Sequence, residues 1–234
     1  MIYDHLGAVS TSPWFDSGCG AGPRVRWSSG GKLEIEGEGY STKTVPEAVK
    51  KWSSLIAEKA KKYDLWPSFL GAFMSTESGG VQSAHSYCCY GLMGLLPSTA
   101  AWRAGRAVTP DELLNDPALN VDLGANLIAY LLEKYKDNPI KVATAYNAGA
   151  AHCTPAKGCS SVNRWGMRSD CPNDKTVDYP GRIIGFNNAL VGLAPSSPSS
   201  LTPSSSSGGG SLVLGVFAVA AVAATVLSSR SKAA

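Results

Sequence analysis

Charge is scarce in this 234-residue sequence: 17% of its residues are Asp, Glu, Lys or Arg, and the formal net charge is +3. So small an excess gives no ground for a nucleic-acid partner, although it would not oppose a weakly anionic polymer such as bacterial cell wall. The N-terminus, Met1-Ile2-Tyr3-Asp4, lacks the basic stretch and apolar run of a cleavable secretory signal, so export by another route is the expectation. Zinc-type spacing is missing too. His85, Cys88, Cys89, His152 and Cys153 offer nitrogen and sulfur ligands, but at intervals that match no zinc pattern. Neither a metal nor a cofactor is expected.

Cysteine itself is plentiful, with six residues at 19, 88, 89, 153, 159 and 171. That number leans towards an oxidising compartment and towards disulfides that staple the 153–171 loop. The sequence does not choose the pairing; adjacent Cys88 and Cys89 are better placed to reach the distant loop than each other.

With 44% hydrophobic residues the chain can bury one core of ordinary size, with tails to spare. Residues 1–43 are rich in Gly and Ser and show little period beyond a short alternation at Leu33-Glu34-Ile35-Glu36. From residue 44 the pattern becomes helical. Thr44-Val45-Pro46-Glu47 reads as a capping box opening a helix with an apolar stripe of Val45, Val49, Trp52, Ile56, Ala60 and Tyr63. Further helices are predicted from Pro67, from Pro97 to about Arg106, and over 111–115. Asn120 is read as the cap of the longest helix, running to about Asp137, and two more cover Asn138 to Gly149 and 180–193. Gly124 interrupts the longest pattern, which suggests that another backbone passes close to it.

Residues 194–211 hold fifteen Ser, Pro or Gly among eighteen, too little apolar surface to fold, and read as a linker. Residues 212–227 then carry no charge; with the serines on either side the stretch reaches about 30 Å as a helix, enough for one membrane span, taken as 212–229. Arg230 and Lys232 in the 230–234 tail favour a cytoplasmic or interior C-terminus and place the folded domain on the other side. The expectation is a single-pass membrane protein.

The candidate functional residue is Glu77. It follows Phe73 by four positions and Met74 by three, so its carboxyl shares an apolar helix face just before Gly79-Gly80 ends the helix. A carboxylic acid so placed has a raised pKa and suits a general acid. The alternative is a glutamate that snorkels to solvent or pairs with an arginine.

Taken in order, Glu77-Ser78, Gly91-Leu92-Met93, Pro97-Ser98-Thr99-Ala100, Asp116-Pro117 with Asn120 and Gly124, and Ala145-Tyr146-Asn147-Ala148-Gly149 resemble the soluble lytic transglycosylase family, related to goose-type lysozyme. The resemblance covers about residues 45–193. It implies a mainly α, lysozyme-like domain over 44–193, followed by the linker and one C-terminal transmembrane helix. It also implies cleavage of peptidoglycan between N-acetylmuramic acid and N-acetylglucosamine, with Glu77 as acid and then base and the sugar's own 6-hydroxyl closing a 1,6-anhydro ring. Ser78 and Met93 would line the cleft, Tyr146 would orient Glu77 or the acetamido group, Asn147 would bond sugar or backbone, and Tyr179 matches a late family tyrosine. Gly94 departs from the pattern, which has glutamine there, and puts one substrate contact in doubt. The tail span and Ser/Gly tether also resemble wall-opening proteins in virions of membrane-containing bacteriophages. A hydrolysing lysozyme and a non-catalytic wall-binding or structural virion protein are the alternatives.

Overall fold

A computed structural model describes residues 12–16, 22–148, 164–165 and 178–191. The linker at 194–211, the 212–229 span, the 230–234 tail, Gly149 and, apart from residues 164–165, the 153–171 cysteine loop lie outside the described residues. Among the described residues no helix is long and apolar enough to cross a membrane.

The expected strand is present and has a partner that the sequence did not announce. Val25–Trp27 (β1) pairs antiparallel with Leu33–Ile35 (β2), with Val25 opposite Ile35 and Trp27 opposite Leu33. Alternation turns these four side chains into the core, while Arg26 and Glu34 pair on the outer face at 2.7 Å.

Eight helices follow among the described residues: Glu47–Lys50 (α1), Ser53–Lys62 (α2), Pro67–Glu77 (α3), Pro97–Ala104 (α4), Pro110–Asn115 (α5), Pro117–Lys134 (α6), Pro139–Ala148 (α7) and Tyr179–Leu190 (α8). The capping box predicted at Thr44 does not form. Pro46 occupies the N-cap of α1, and the helix breaks at Lys51-Trp52, where the Trp52 indole donates to the Gly80 carbonyl at 2.9 Å. A capping box is found instead at Thr109 and Glu112, at the start of α5. The cap of α6 is likewise Asp116, whose carboxylate accepts from Leu119 N at 2.8 Å. Asn120 lies inside that helix, fully buried.

The middle of the fold is α3. Ser68 to Thr76 are all buried, so it is enclosed on every side rather than along one stripe. Its two internal hydroxyls are satisfied locally, Ser75 on Gly71 O and Thr76 on Ala72 O. Helix α8 packs along it so closely that a Cβ on Gly71 would meet Leu190 at 3.0 Å. From α8, Asn188 reaches back to the hairpin, accepting from Leu33 N at 2.6 Å and donating to the carbonyls of Leu33 and Ser41. A run of aromatic rings joins hairpin to site: Trp27 stands edge-on to Phe69, Phe69 to Phe73, and Phe73 tilts against Tyr146 and Tyr179.

Candidate active site

Glu77 is the last residue of α3, and the chain leaves the helix through Ser78 and two glycines with positive φ. Because α3 is sheathed by the core, its C-terminal residue arrives at the inner end of a cleft rather than at the outer surface. The cleft holds about 640 Å³ and is lined by Glu77, residues 86–89 and 94–96, Thr99, Leu127, Tyr146 and Asn147. No second Asp or Glu is among these described lining residues.

Burial pushes the Glu77 carboxyl from its ordinary 4.5 up to about 7, against the opposing pull of the Tyr179 hydrogen bond and the nearby positive charge of Arg182. The side chain is only partly open to the cleft and densely surrounded, and the loss of hydration outweighs both stabilising groups. Tyr179, itself buried, donates its hydroxyl to Glu77 Oε1. Burial and the neighbouring carboxyl push the Tyr179 phenol well above its usual range, so it stays an O–H donor. With Oε1 accepting that bond, the acidic proton belongs on Oε2, the oxygen that faces Gly94.

Three of the remaining motif residues, Ser78, Asn120 and Tyr146, hold one turn, residues 91–94, through their side chains. Ser78 donates to Leu92 O at 2.7 Å and accepts from Gly80 N. Asn120 accepts from Met93 N at 2.8 Å and donates to the carbonyls of Tyr90 and Leu113. Tyr146 donates to Met93 O at 2.7 Å, so its hydroxyl is engaged by backbone and the tyrosine on Glu77 is Tyr179. Met93 is fully buried, with its side chain packed where a Cβ on Gly124 would fall, 2.7 Å from Cγ. The close approach to Gly124 is therefore a side chain rather than a backbone, and Met93 belongs to the core rather than to the cleft lining.

The turn held in this way carries Gly94 against the carboxyl. Its φ is +57°, and an added Cβ would sit 2.5 Å from Glu77 Oε2. The space that a side chain would take at this position is filled by Glu77 itself. Asn147 lines the cleft, and its Nδ2 is buried without a protein partner, a donor left for something else to satisfy. Ser86 reaches the cleft, whereas His85 does not line it. Cys88 and Cys89 are free thiols on the cleft wall; the other four cysteines lie outside the described residues. No cluster of three or more metal-ligating side chains is present among the described residues. Arg182 and Leu127 were not singled out from sequence, and Thr99 was quoted only within the Pro97–Ala100 motif, without a role. Arg182 carries only the helical spacing from Tyr179 as a signal, and its guanidinium is fixed on Thr76 O at 3.0 Å.

A mainly helical lobe that sets one raised-pKa carboxyl at the inner end of a cleft is a lysozyme-like architecture. Within that class, residues 54–161 match the transglycosylase SLT domain. Membrane-bound lytic murein transglycosylase C of Haemophilus ducreyi is 33% identical over 114 residues, which cover 43% of this chain and 31% of that protein. Membrane-bound lytic murein transglycosylase E of Buchnera aphidicola is 30% identical over 99 residues, 40% of this chain and 45% of the relative. The chain thus spans between 31% and 45% of the length of these relatives. Among solved structures, an inactive mutant of lytic transglycosylase Slt from Pseudomonas aeruginosa aligns at 22% identity with a TM-score of 0.48, covering 61% of this chain and 24% of that one. The soluble lytic transglycosylase of Escherichia coli aligns at 19% identity with a TM-score of 0.47, covering 58% and 23%.

Proposed function

We propose that this protein is a peptidoglycan lytic transglycosylase that cleaves the bond between N-acetylmuramic acid and N-acetylglucosamine. The observation that carries this reading is Glu77: a carboxyl with a pKa near 7, on a cleft with no second carboxylate among its described lining residues. Glycosidases that deliver water or form a covalent sugar intermediate ordinarily use two carboxyls. With one, the same group serves twice. Glu77 Oε2–H protonates the departing glycosidic oxygen, the C–O bond breaks, and the resulting carboxylate takes the proton from the muramic acid 6-hydroxyl as that oxygen closes on the anomeric carbon. The result is a 1,6-anhydro end, with no water consumed and Glu77 returned to its acid form. A hydroxyl held beside the reacting carbon has an effective concentration far above that of bulk solvent, which favours ring closure.

Tyr179 and Arg182 stabilise the carboxylate in the half of the cycle when it is charged. Asn147 Nδ2 is the donor available for a sugar amide or hydroxyl. Ser78, Met93 and Tyr146 hold the turn that sets the distance between Glu77 and the substrate. We further propose that residues 212–229 tether the lobe to a membrane, with the catalytic domain on the non-cytoplasmic side, and that its setting is a phage virion membrane from which the wall is opened.

Mass spectrometry of muropeptides released from purified peptidoglycan tests the chemistry. The expected products carry 1,6-anhydro ends and are about 18 Da lighter than their hydrolysed equivalents. Exclusively reducing-end products would make the protein a hydrolysing lysozyme. No release by wild type, under conditions where a known wall hydrolase works, would leave a wall-binding protein.

A further inference from the structure

Beyond the cleft, the surface of α4 and α6 carries an arrangement that the catalytic reading does not use. Trp102 is 54% exposed although it is among the largest apolar side chains of the protein. Its ring is not loose. Tyr130 meets it edge-to-face with centroids 5.0 Å apart, and the Arg103 guanidinium lies over both rings at 4.6 and 5.0 Å. Arg103 is fixed in turn by bonds to Asn126 Oδ1 from Nε and Nη2, and Asn126 donates to Tyr63 OH. Lys134 flanks Tyr130 at 5.7 Å.

This platform continues the cleft. Thr99 on α4 and Leu127 on α6 line the cleft wall, and Trp102 and Tyr130 each stand three residues further on, about 4.5 Å along their helices and on the neighbouring face. A large aromatic surface left open to water beside a binding groove, and ordered before any ligand arrives, is a mark of a recognition surface. Its chemistry is specific: a flat ring suits the apolar C–H face of a pyranose, and the two cations suit a polymer that bears carboxylates.

We propose that Trp102, backed by Arg103 and Tyr130, is a distal subsite that stacks a sugar ring of the peptidoglycan strand beyond the residues held at Glu77. The proposal rests on the reading of the cleft as a glycan-cleaving site. Its effect would be to favour long strands over short fragments.

The test uses the full chain with Glu77→Gln as the binding form, alongside catalytically intact protein. Replacing Trp102 with Ala should weaken binding to long uncrosslinked strands by about tenfold, and Trp102→Phe, which keeps a flat ring, should recover most of it. Cleavage of a fragment too short to span both cleft and platform should be unchanged in Trp102→Ala. Equal binding of strands by wild type and Trp102→Ala would overturn the subsite, as would equal losses on long and short substrates. If the loss vanishes on strands stripped of stem peptides, the occupant is peptide and the sugar-stacking proposal fails. Absence of cleavage by intact protein would count against the catalytic reading alone, because the binding comparison does not depend on turnover.

Discussion

At the scale of single residues, the electrostatics of Glu77 links activity to stability. Its pKa is raised from 4.5 to about 7 on folding, so the folded state holds a proton that the unfolded state gives up. That contribution to stability is complete below pH 4.5, shrinks as the pH climbs, and is lost once the pH has passed through about 7; in full it amounts to about 3 kcal/mol. Glu77→Gln removes the titration. The variant should therefore melt higher than wild type at pH 8 by several degrees, with the difference closing towards pH 4, while its transglycosylase rate falls on the order of a hundredfold or more. Thermal melts of both proteins across that range check this, and parallel curves would mean that Glu77 is not buried as described. Gly94 gives a second expectation. A Cβ there would press on Oε2 and sit on a left-handed backbone, so Gly94→Ala should cost about 1 kcal/mol in strain and lower turnover about tenfold or more by displacing the carboxyl. Gly94→Gln, which restores the residue usual in the family, should be no better than Gly94→Ala in kinetic assays of both variants.

Among the elements, the hairpin and α8 depend on each other through Asn188. Its amide satisfies both the N–H and the C=O of Leu33 and also bonds Ser41, all from a buried position. Asn188→Ala leaves these groups unsatisfied and should cost about 2 to 4 kcal/mol in denaturant unfolding. A loss under about 0.5 kcal/mol would show that the hairpin does not need this clasp. The hairpin also marks where sequence reading ran short. Helices α3 and α7 were legible because a proline start and a glycine end agree, α4 from its proline start, and α6 from its apolar period, although its true start at Pro117 was not read. Strand β2 was legible from its alternation, but β1 was not, since Arg24, Arg26 and the glycines around it mask a three-residue pattern whose meaning comes from pairing with β2 and from the contact of Trp27 with Phe69 of α3. The same holds at the site. Glu77 stood out as a charge on an apolar face, which is a local signal. That Ser78, Asn120 and Tyr146 converge on one turn was hidden, because each bond spans many positions and the partner is a backbone atom that no residue identity reports. Asn120 was misread as a cap for that reason: Asx residues at helix starts are usually caps, and here Asp116 already fills the role.

For the whole molecule, the proposed chemistry and the proposed location fall on separate stretches of chain. Every described group near Glu77 lies between residues 76 and 182, whereas the proposed tether begins at 194 and the proposed span at 212. If residues 194–211 act as the proposed tether, a coil of that length would hold its ends about 20 to 25 Å apart on average and reach roughly 60 Å when drawn out, and the lobe would then work within a thin layer beside a membrane. Tethering then acts as a concentration effect on wall that lies within that layer and contributes nothing to bond breaking. Ending the chain at Ala194 should accordingly leave cleavage of extracted, dispersed peptidoglycan within about twofold of the full chain, while membrane flotation is lost. The two measurements separate the possibilities. A truncated protein that still floats with lipid places the anchor within residues 1–194, and one that stops cutting dispersed wall assigns the C-terminal residues a part in folding or catalysis that the proposed tether does not require.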